Sequence, residues 1–281
     1  MSSQKPSIHI PLLLTATVNP RGMAGANFNP EERLQMYVDA VNFYVRELSR
    51  HPQPGGWDIV FAENSSFPAS QFLPRLVGAD GVRVEYLDLG TDGFDQSRGK
   101  GYNETLLIDR AVQQSEAVVA AGCFFKLTGR LKVLNIYSML RECARRQHRA
   151  DGLHFLADCK DHGVYEFLAL PINGHAGECR YWFASVDFFR NEMMPHLDEM
   201  NDYSVPPVLA EDVMLVVCRK ARSLPACHDR FLTQARISGR GGHDLGKGSK
   251  FFHSTDNDSF ALRLKCTLRQ LLRWTMPWWR A

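Results

Sequence analysis

Apolar positions along the chain follow strand-like runs in some segments and a helical repeat in others. Residues 10–18, IPLLLTATV, form an apolar run closed by Asn19-Pro20, the pattern of a buried strand. Asn29-Pro30-Glu31-Glu32 then opens a helix, with Asn as cap, Pro at the first position and acids in the first turn. Leu34, Val38, Val41 and Val45 recur at helical spacing, and the helix fades by Ser49. Residues 57–62 (WDIVFA) read as a second strand and the alternating 82–87 (VRVEYL) as a third. A helix is expected over 103–114. The apolar run 117–127 reads as a central strand ended by Thr128-Gly129-Arg130. Residues 133–149 read as a helix whose basic end suits the negative end of its dipole. Further strands are expected at 153–157, 164–170 and 179–186, and helices near 187–200 and 207–217.

This order predicts an α/β fold: a parallel sheet with helices on both faces, extended by the later strands. Ligands of such sheets bind outside the carboxyl ends of the strands. That rule selects residues 15–19, 63–66, 88–101 and 126–130. Composition agrees with a soluble globular class: 281 residues, 44% hydrophobic and 23% charged, enough for a core without staples. No apolar run approaches the roughly 20 residues needed to span a bilayer, and the N-terminus shows no signal-peptide pattern. Seven scattered cysteines without a CxxC pair argue against structural zinc and for reduced thiols in the cytosol.

Charge changes the picture more. The net +2 hides a basic end: residues 219–281 hold 13 Lys and Arg against 4 Asp and Glu. Phosphate groups, nucleic acid or anionic headgroups are the partners such an end suits.

Several strand ends carry groups suited to a nucleotide. Thr15 and Thr17 offer hydroxyls beside the first strand, and Glu63-Asn64 are placed to hold a base or ribose. Arg98-Gly99-Lys100-Gly101 puts two cations and two glycines before a helix, a setting for phosphate. A solvated charged loop is the other reading. The chain has neither a P-loop GxxxxGK[ST] nor a GxGxxG after the first strand. Lys126, inside an apolar run, is costly unless it reaches water or an anion, and with Thr128 and Arg130 it is a phosphate candidate. Snorkelling at the sheet edge is the alternative. Asp158 and Asp161 are candidate ligands for Mg²⁺ or Mn²⁺, against a solvated turn. Cys159 reads as a small core residue. Asp198, Glu199 and Asp202 read as solvent-facing. His243, in a basic loop with Arg240 and Lys247, is placed to close over a diphosphate.

LLLTATVNP (12–20), ERLQMYVDAVNFY (32–44), IVFAENS (59–65), GKGYNE (99–104), FFKLTGRLKVLN (124–135) and, more loosely, RISGRGG (236–242) stand in an order that resembles bacterial surface-polysaccharide glycosyltransferases of the O-antigen, lipopolysaccharide and capsule type. The resemblance implies a GT-A-like, Rossmann-type nucleotide-binding sheet over residues 1–258 and a nucleotide-sugar donor. It places Asp-x-Asp, a metal and diphosphate ligand, where this chain has Thr128-Gly129-Arg130. A divalent metal is thereby undecided, with Lys126 and Arg130 as its replacement. It also points to Glu211-Asp212 as the acid pair that activates the acceptor; a helix-dipole role is the alternative.

Residues 259–281 form a basic, Trp-rich amphipathic tail, with Phe260, Leu264, Leu268, Leu271 and Leu272 on one face and Lys265, Arg269 and Arg273 on another. Trp274, Trp278 and Trp279 close it. Such a helix suits an anionic membrane surface; docking on the domain is the alternative. No aromatic platform accompanies the charge, so no nucleic acid is expected. These features together predict a cytoplasmic glycosyltransferase, peripheral to the inner membrane, that extends a lipid-linked surface glycan. A non-catalytic scaffold binding nucleotide sugar or lipid phosphate is the main rival, and a nucleotidyltransferase a weaker one.

Overall fold

The computed structural model describes residues 9–20, 29–169, 173–240, 251–252 and 260–276. In chain order the elements begin β1 (Leu12–Ala16), α1 (Pro30–Ser49), β2 (Trp57–Glu63), α2 (Ala69–Phe72) and β3 (Val82–Asp88). They continue with α3 (Lys100–Gln114), α4 (Glu116–Ala121), β4 (Cys123–Thr128), β5 (Lys132–Val133) and α5 (Ile136–Gln147). Next come β6 (Phe155–Leu156), β7 (Cys159–Asp161), α6 (Val164–Phe167), β8 (His175–Gly177) and β9 (Tyr181–Ser185). The chain closes with α7 (Val186–Phe188), α8 (Ala210–Ala221), β10 (Cys227–His228), β11 (Ile237–Arg240), β12 (Phe251–Phe252) and α9 (Phe260–Thr275).

A seven-stranded sheet in the order β10-β6-β9-β4-β1-β2-β3 organises the chain. Strands β4, β1, β2 and β3 run parallel, whereas β9 lies antiparallel to both β4 and β6. The α/β class and the continuation of one sheet by later strands match the sequence expectation; the reversed β9 makes that sheet mixed.

Alternation along the strands builds two cores. Leu12, Leu14, Ile59, Phe61, Phe125 and Leu127 face Tyr37, Val41, Tyr44 and Met139 of α1 and α5. Leu13, Val60, Ala62 and Phe124 face Leu107, Ile108 and Ala111 of α3 and Val217 of α8. Asn29 caps α1 as expected, its side chain accepting from the Glu32 N–H while Glu32 accepts from the Asn29 N–H.

Two segments depart from the pattern reading. The apolar run expected to be one strand from 117 splits into α4 and β4. The Ser115 hydroxyl caps α4, and Gly122, at φ 65°, ends it. A short apolar run serves helix or strand equally, so the caps decide. Residues 164–170, expected as a strand, instead contain α6, the crossover of the β7–β8 hairpin. No disulfide links the seven cysteines, and Cys159 is buried beside the fully buried Cys218.

Candidate functional site

The carboxyl ends of β1 and β4 lie side by side, with Thr15 opposite Thr128 and Leu13 opposite Lys126. Alternation puts Thr15, Lys126 and Thr128 on the face covered by α3. Lys126 is 1% exposed. Its ammonium meets Glu104 Oε1 of α3 at 2.9 Å, donates to the Thr128 hydroxyl at 3.2 Å and to the Cys179 carbonyl at 2.5 Å. The Thr15 hydroxyl donates to the same Glu104 oxygen at 2.6 Å. All three N–H groups of Lys126 therefore have protein partners, which is how a buried ammonium is tolerated.

Glu104 is the residue that pattern reading passed over, although it stands inside GKGYNE. Burial pushes its carboxyl up, but Lys126, Lys100 and the Thr15 hydroxyl outweigh that and hold it down at about 2. A signal was present: Glu104 sits on the helix stripe of Gly101, Ile108 and Ala111, all buried, where a charged residue needs a partner.

The starts of α3 and α8 meet above this cluster. A Cβ on Gly101 would stand 3.0 Å from the Ala210 side chain, so the close approach depends on glycine. Glu211 follows Ala210 in this first turn, and its charge adds to the burial that pushes up the Cys179 thiol. Asp212 is turned away to another task, its Oδ2 accepting the Leu209 N–H at 3.0 Å and closing the first turn of α8. The acid pair is thus divided between site and helix start.

Gly129 is a second close approach. Its N–H donates to Thr15 O at 3.0 Å, and an added Cβ would lie 2.6 Å from that oxygen. Arg130 beyond it donates through Nε to Arg240 O at 3.2 Å, at the edge of the basic loop. His243 and Lys247 of that loop lie outside the described residues.

At the β1–β2 edge, the Thr17 hydroxyl donates to Asn64 Oδ1 at 2.6 Å. Glu63, fully buried, accepts the N–H groups of Val18, Ser65 and Phe67 and the Ser65 hydroxyl. Both its oxygens tie the two loops together, so it shapes the site rim instead of presenting a carboxylate for a base or ribose.

The loop before α3 also differs from expectation. Asp202, read as solvent-facing, accepts the Lys100 N–H through Oδ2 at 2.7 Å and so occupies the helix N-terminus itself. Arg98 donates to the carbonyls of Asp198 and Met200. The Lys100 charge helps to lower the Glu104 carboxyl.

The metal reading of Asp158 and Asp161 is corrected. Asp158 receives Arg273 at 2.8 and 3.0 Å, the Tyr181 hydroxyl at 2.6 Å and the Phe231 N–H at 2.9 Å. Asp161 holds Arg219, Arg222 and His175, and hydrogen bonding from Arg219 leads the forces that lower its carboxyl well below the usual range. The two carboxylates serve separate arginine networks. Among the described residues no group of three His, Cys, Asp or Glu side chains is arranged to hold a metal. With the ammonium of Lys126 inside the site cluster, these residues do not fit a divalent cation.

The tail is also partly reassigned. Arg273, expected on a solvent or lipid face, is 7% exposed and locked to Asp158, so α9 docks on the domain. No helix among the described residues is long and apolar enough to cross a membrane.

No family model matches the chain, and no curated protein matches it. Among solved structures it is similar to the bifunctional glycosyltransferase WbbM, with a TM-score of 0.41 and 12% identity, over 77% of this chain and 38% of that one. It is similar to HddC from Yersinia pseudotuberculosis, with a TM-score of 0.41 and 11% identity, over 82% of this chain and 93% of that one. Mouse xyloside xylosyltransferase 1 gives a TM-score of 0.41 and 12% identity, over 80% of this chain and 86% of that one. The chain thus spans well under half of WbbM, and all three likenesses are distant.

Proposed function

We propose that this chain is a nucleotide-sugar-dependent glycosyltransferase that extends a lipid-linked surface glycan of the O-antigen or capsule type at the cytoplasmic face of the inner membrane. The observation that carries the reading is the ion pair between the buried Lys126 and the half-buried Glu104, which meets Thr15 and Thr128 at the carboxyl ends of adjacent parallel strands. A buried ion pair is weak evidence of stabilisation, and an open α/β sheet binds its ligands at that edge. The order of LTAT and KLTGR motifs supports the same reading.

In this reading Thr17 and Asn64 line the nucleoside end, on a rim shaped by Glu63. Lys100 and Arg130 supply positive charge for the diphosphate and its departure. Lys126 acts through Glu104, holding that carboxylate in place. A carboxyl held near 2 is a poor proton acceptor at neutral pH, but a constant hydrogen-bond acceptor for a sugar or ribose hydroxyl. The base that takes the acceptor's proton is then Glu211, which lies by the cluster while Asp212 caps its helix.

Nucleotide release across a panel of nucleotide sugars, with Mg²⁺, Mn²⁺ or EDTA, tests this. Release should survive EDTA. Glu104→Gln should raise the donor KM, and Glu211→Gln should lower kcat at little cost in KM. Absence of release from every donor, with membrane extract supplying acceptor, would leave the scaffold reading. Release of pyrophosphate would instead mark a nucleotidyltransferase.

A further inference from the structure

An ordinary surface helix docks by burying its apolar stripe. Among the described side chains of α9, the contacts that hold it to the domain are hydrogen bonds and an ion pair. Arg273 donates to Asp158, to Phe231 O at 2.7 Å and to Gln234 Oε1 at 2.9 Å. Gln270 accepts the Gln234 N–H at 2.8 Å and donates to Leu232 O at 2.5 Å. Phe260, Leu264, Leu268, Leu271 and Trp274 share the other side, at helical spacing. They are 82%, 47%, 51%, 46% and 63% exposed.

A row of five large apolar side chains along a helix of about 24 Å is more than scattered surface apolarity. Its chemical surroundings select the occupant. Residues 259–281 contain Arg263, Lys265, Arg269, Arg273 and Arg280 and no Asp or Glu. Arg273 is neutralised by Asp158, whereas Arg269 is exposed. An exposed row of Leu and Trp in a segment that carries cations and no acid of its own suits the boundary of an anionic bilayer, where acyl chains take the apolar side chains and headgroups take the cations.

We infer that α9 is a lipid-docking surface: the Arg273–Asp158 lock holds its polar side on the domain, and the Phe260–Trp274 stripe beds into an anionic leaflet. This deepens the proposed function by supplying the face through which the enzyme meets a lipid-linked acceptor.

The test uses the full chain and vesicles of phosphatidylcholine with or without phosphatidylglycerol, read by co-sedimentation, which needs no turnover. Binding should require phosphatidylglycerol and weaken with salt. The triple variant Leu264→Glu, Leu268→Glu, Leu271→Glu should bind at least about tenfold more weakly, because three charges then face the acyl region. Its urea midpoint and its donor turnover should remain those of the wild type. Equal vesicle binding by wild type and variant would overturn the inference. So would a wild-type protein that ignores both vesicles, or one that forms a dimer in light scattering which the triple variant abolishes, because the stripe would then join two copies.

Discussion

Lys126→Met removes the ammonium from the buried cluster while keeping the length of the side chain. Glu104 then keeps a charge within a nearly closed site, and the Cys179 carbonyl loses its donor. Breaking one side of a buried pair costs about 3–5 kcal/mol. At roughly 2–4 °C per kcal/mol for a chain of this size, the melting temperature should fall by about 10 °C. The pair also sets an acid limb. Glu104 moves from 4.5 to about 2 on folding, which corresponds to about 3 kcal/mol of linked stability. Because the folded value is the lower one, the wild type has this contribution above about pH 4.5 and loses it as the pH falls towards 2. In Lys126→Met the strongest opponent of burial is gone, so that acid-dependent loss should shrink. The second variant, Glu104→Leu with Lys126→Met, replaces both charges by apolar groups. It should recover stability to within about 1–3 kcal/mol of the wild type, the remainder being the unpaired Cys179 carbonyl. Urea unfolding between pH 3 and 7 and nucleotide release measure the two sides. Stability should return in the double variant while release does not. A double variant as unstable as Lys126→Met would refute the pairing, and one that still releases nucleotide would remove the pair from the site.

Two other changes probe the frame around the cluster. Arg273→Ala leaves Asp158 buried without its guanidinium; α9 should become sensitive to limited proteolysis, and the unfolding free energy from urea titration should drop by about 3–5 kcal/mol if the pair is fully broken. Gly129→Ala forces a methyl group to 2.6 Å from Thr15 O, so β4 must move from β1. About 1–3 kcal/mol of stability should be lost, with a larger proportional loss of nucleotide release than of folded protein.

The parallel β4–β1–β2–β3 core was legible because β1, β2 and β4 lie in apolar runs and β3 alternates, and α1 because its cap, proline and acids agree. The reversed β9 was not legible, because alternation reports which face a side chain takes but says nothing of strand direction. The β7–β8 hairpin was missed for a related reason: strands of three residues offer too little pattern to separate from loop. At the candidate site, the cations were easier to read than their partners. Lys126 announces itself by interrupting an apolar run. Beyond the neighbouring Thr128, its partners come from residue 104, on a helix, and from a backbone carbonyl at 179, and no local pattern ties these distant positions to it.

The acids follow the same physics, and this decides which of them can do chemistry. Glu63, Asp158, Asp202 and Asp212 all accept backbone N–H groups, and Asp158 holds Arg273 as well. Each is therefore already engaged by the fold. Asp161 is likewise held by two arginines and a histidine. Glu104 differs, because it is met by side chains, the Thr15 hydroxyl and the Lys126 ammonium, both at Oε1. Glu211 differs too, since it stands in the first turn of α8 while its neighbour Asp212 closes that turn. On the proposed reading these two glutamates are therefore the first to test as substrate contacts. They are given different work there: one has its charge held by a buried lysine, and the other is the proposed base for an acceptor.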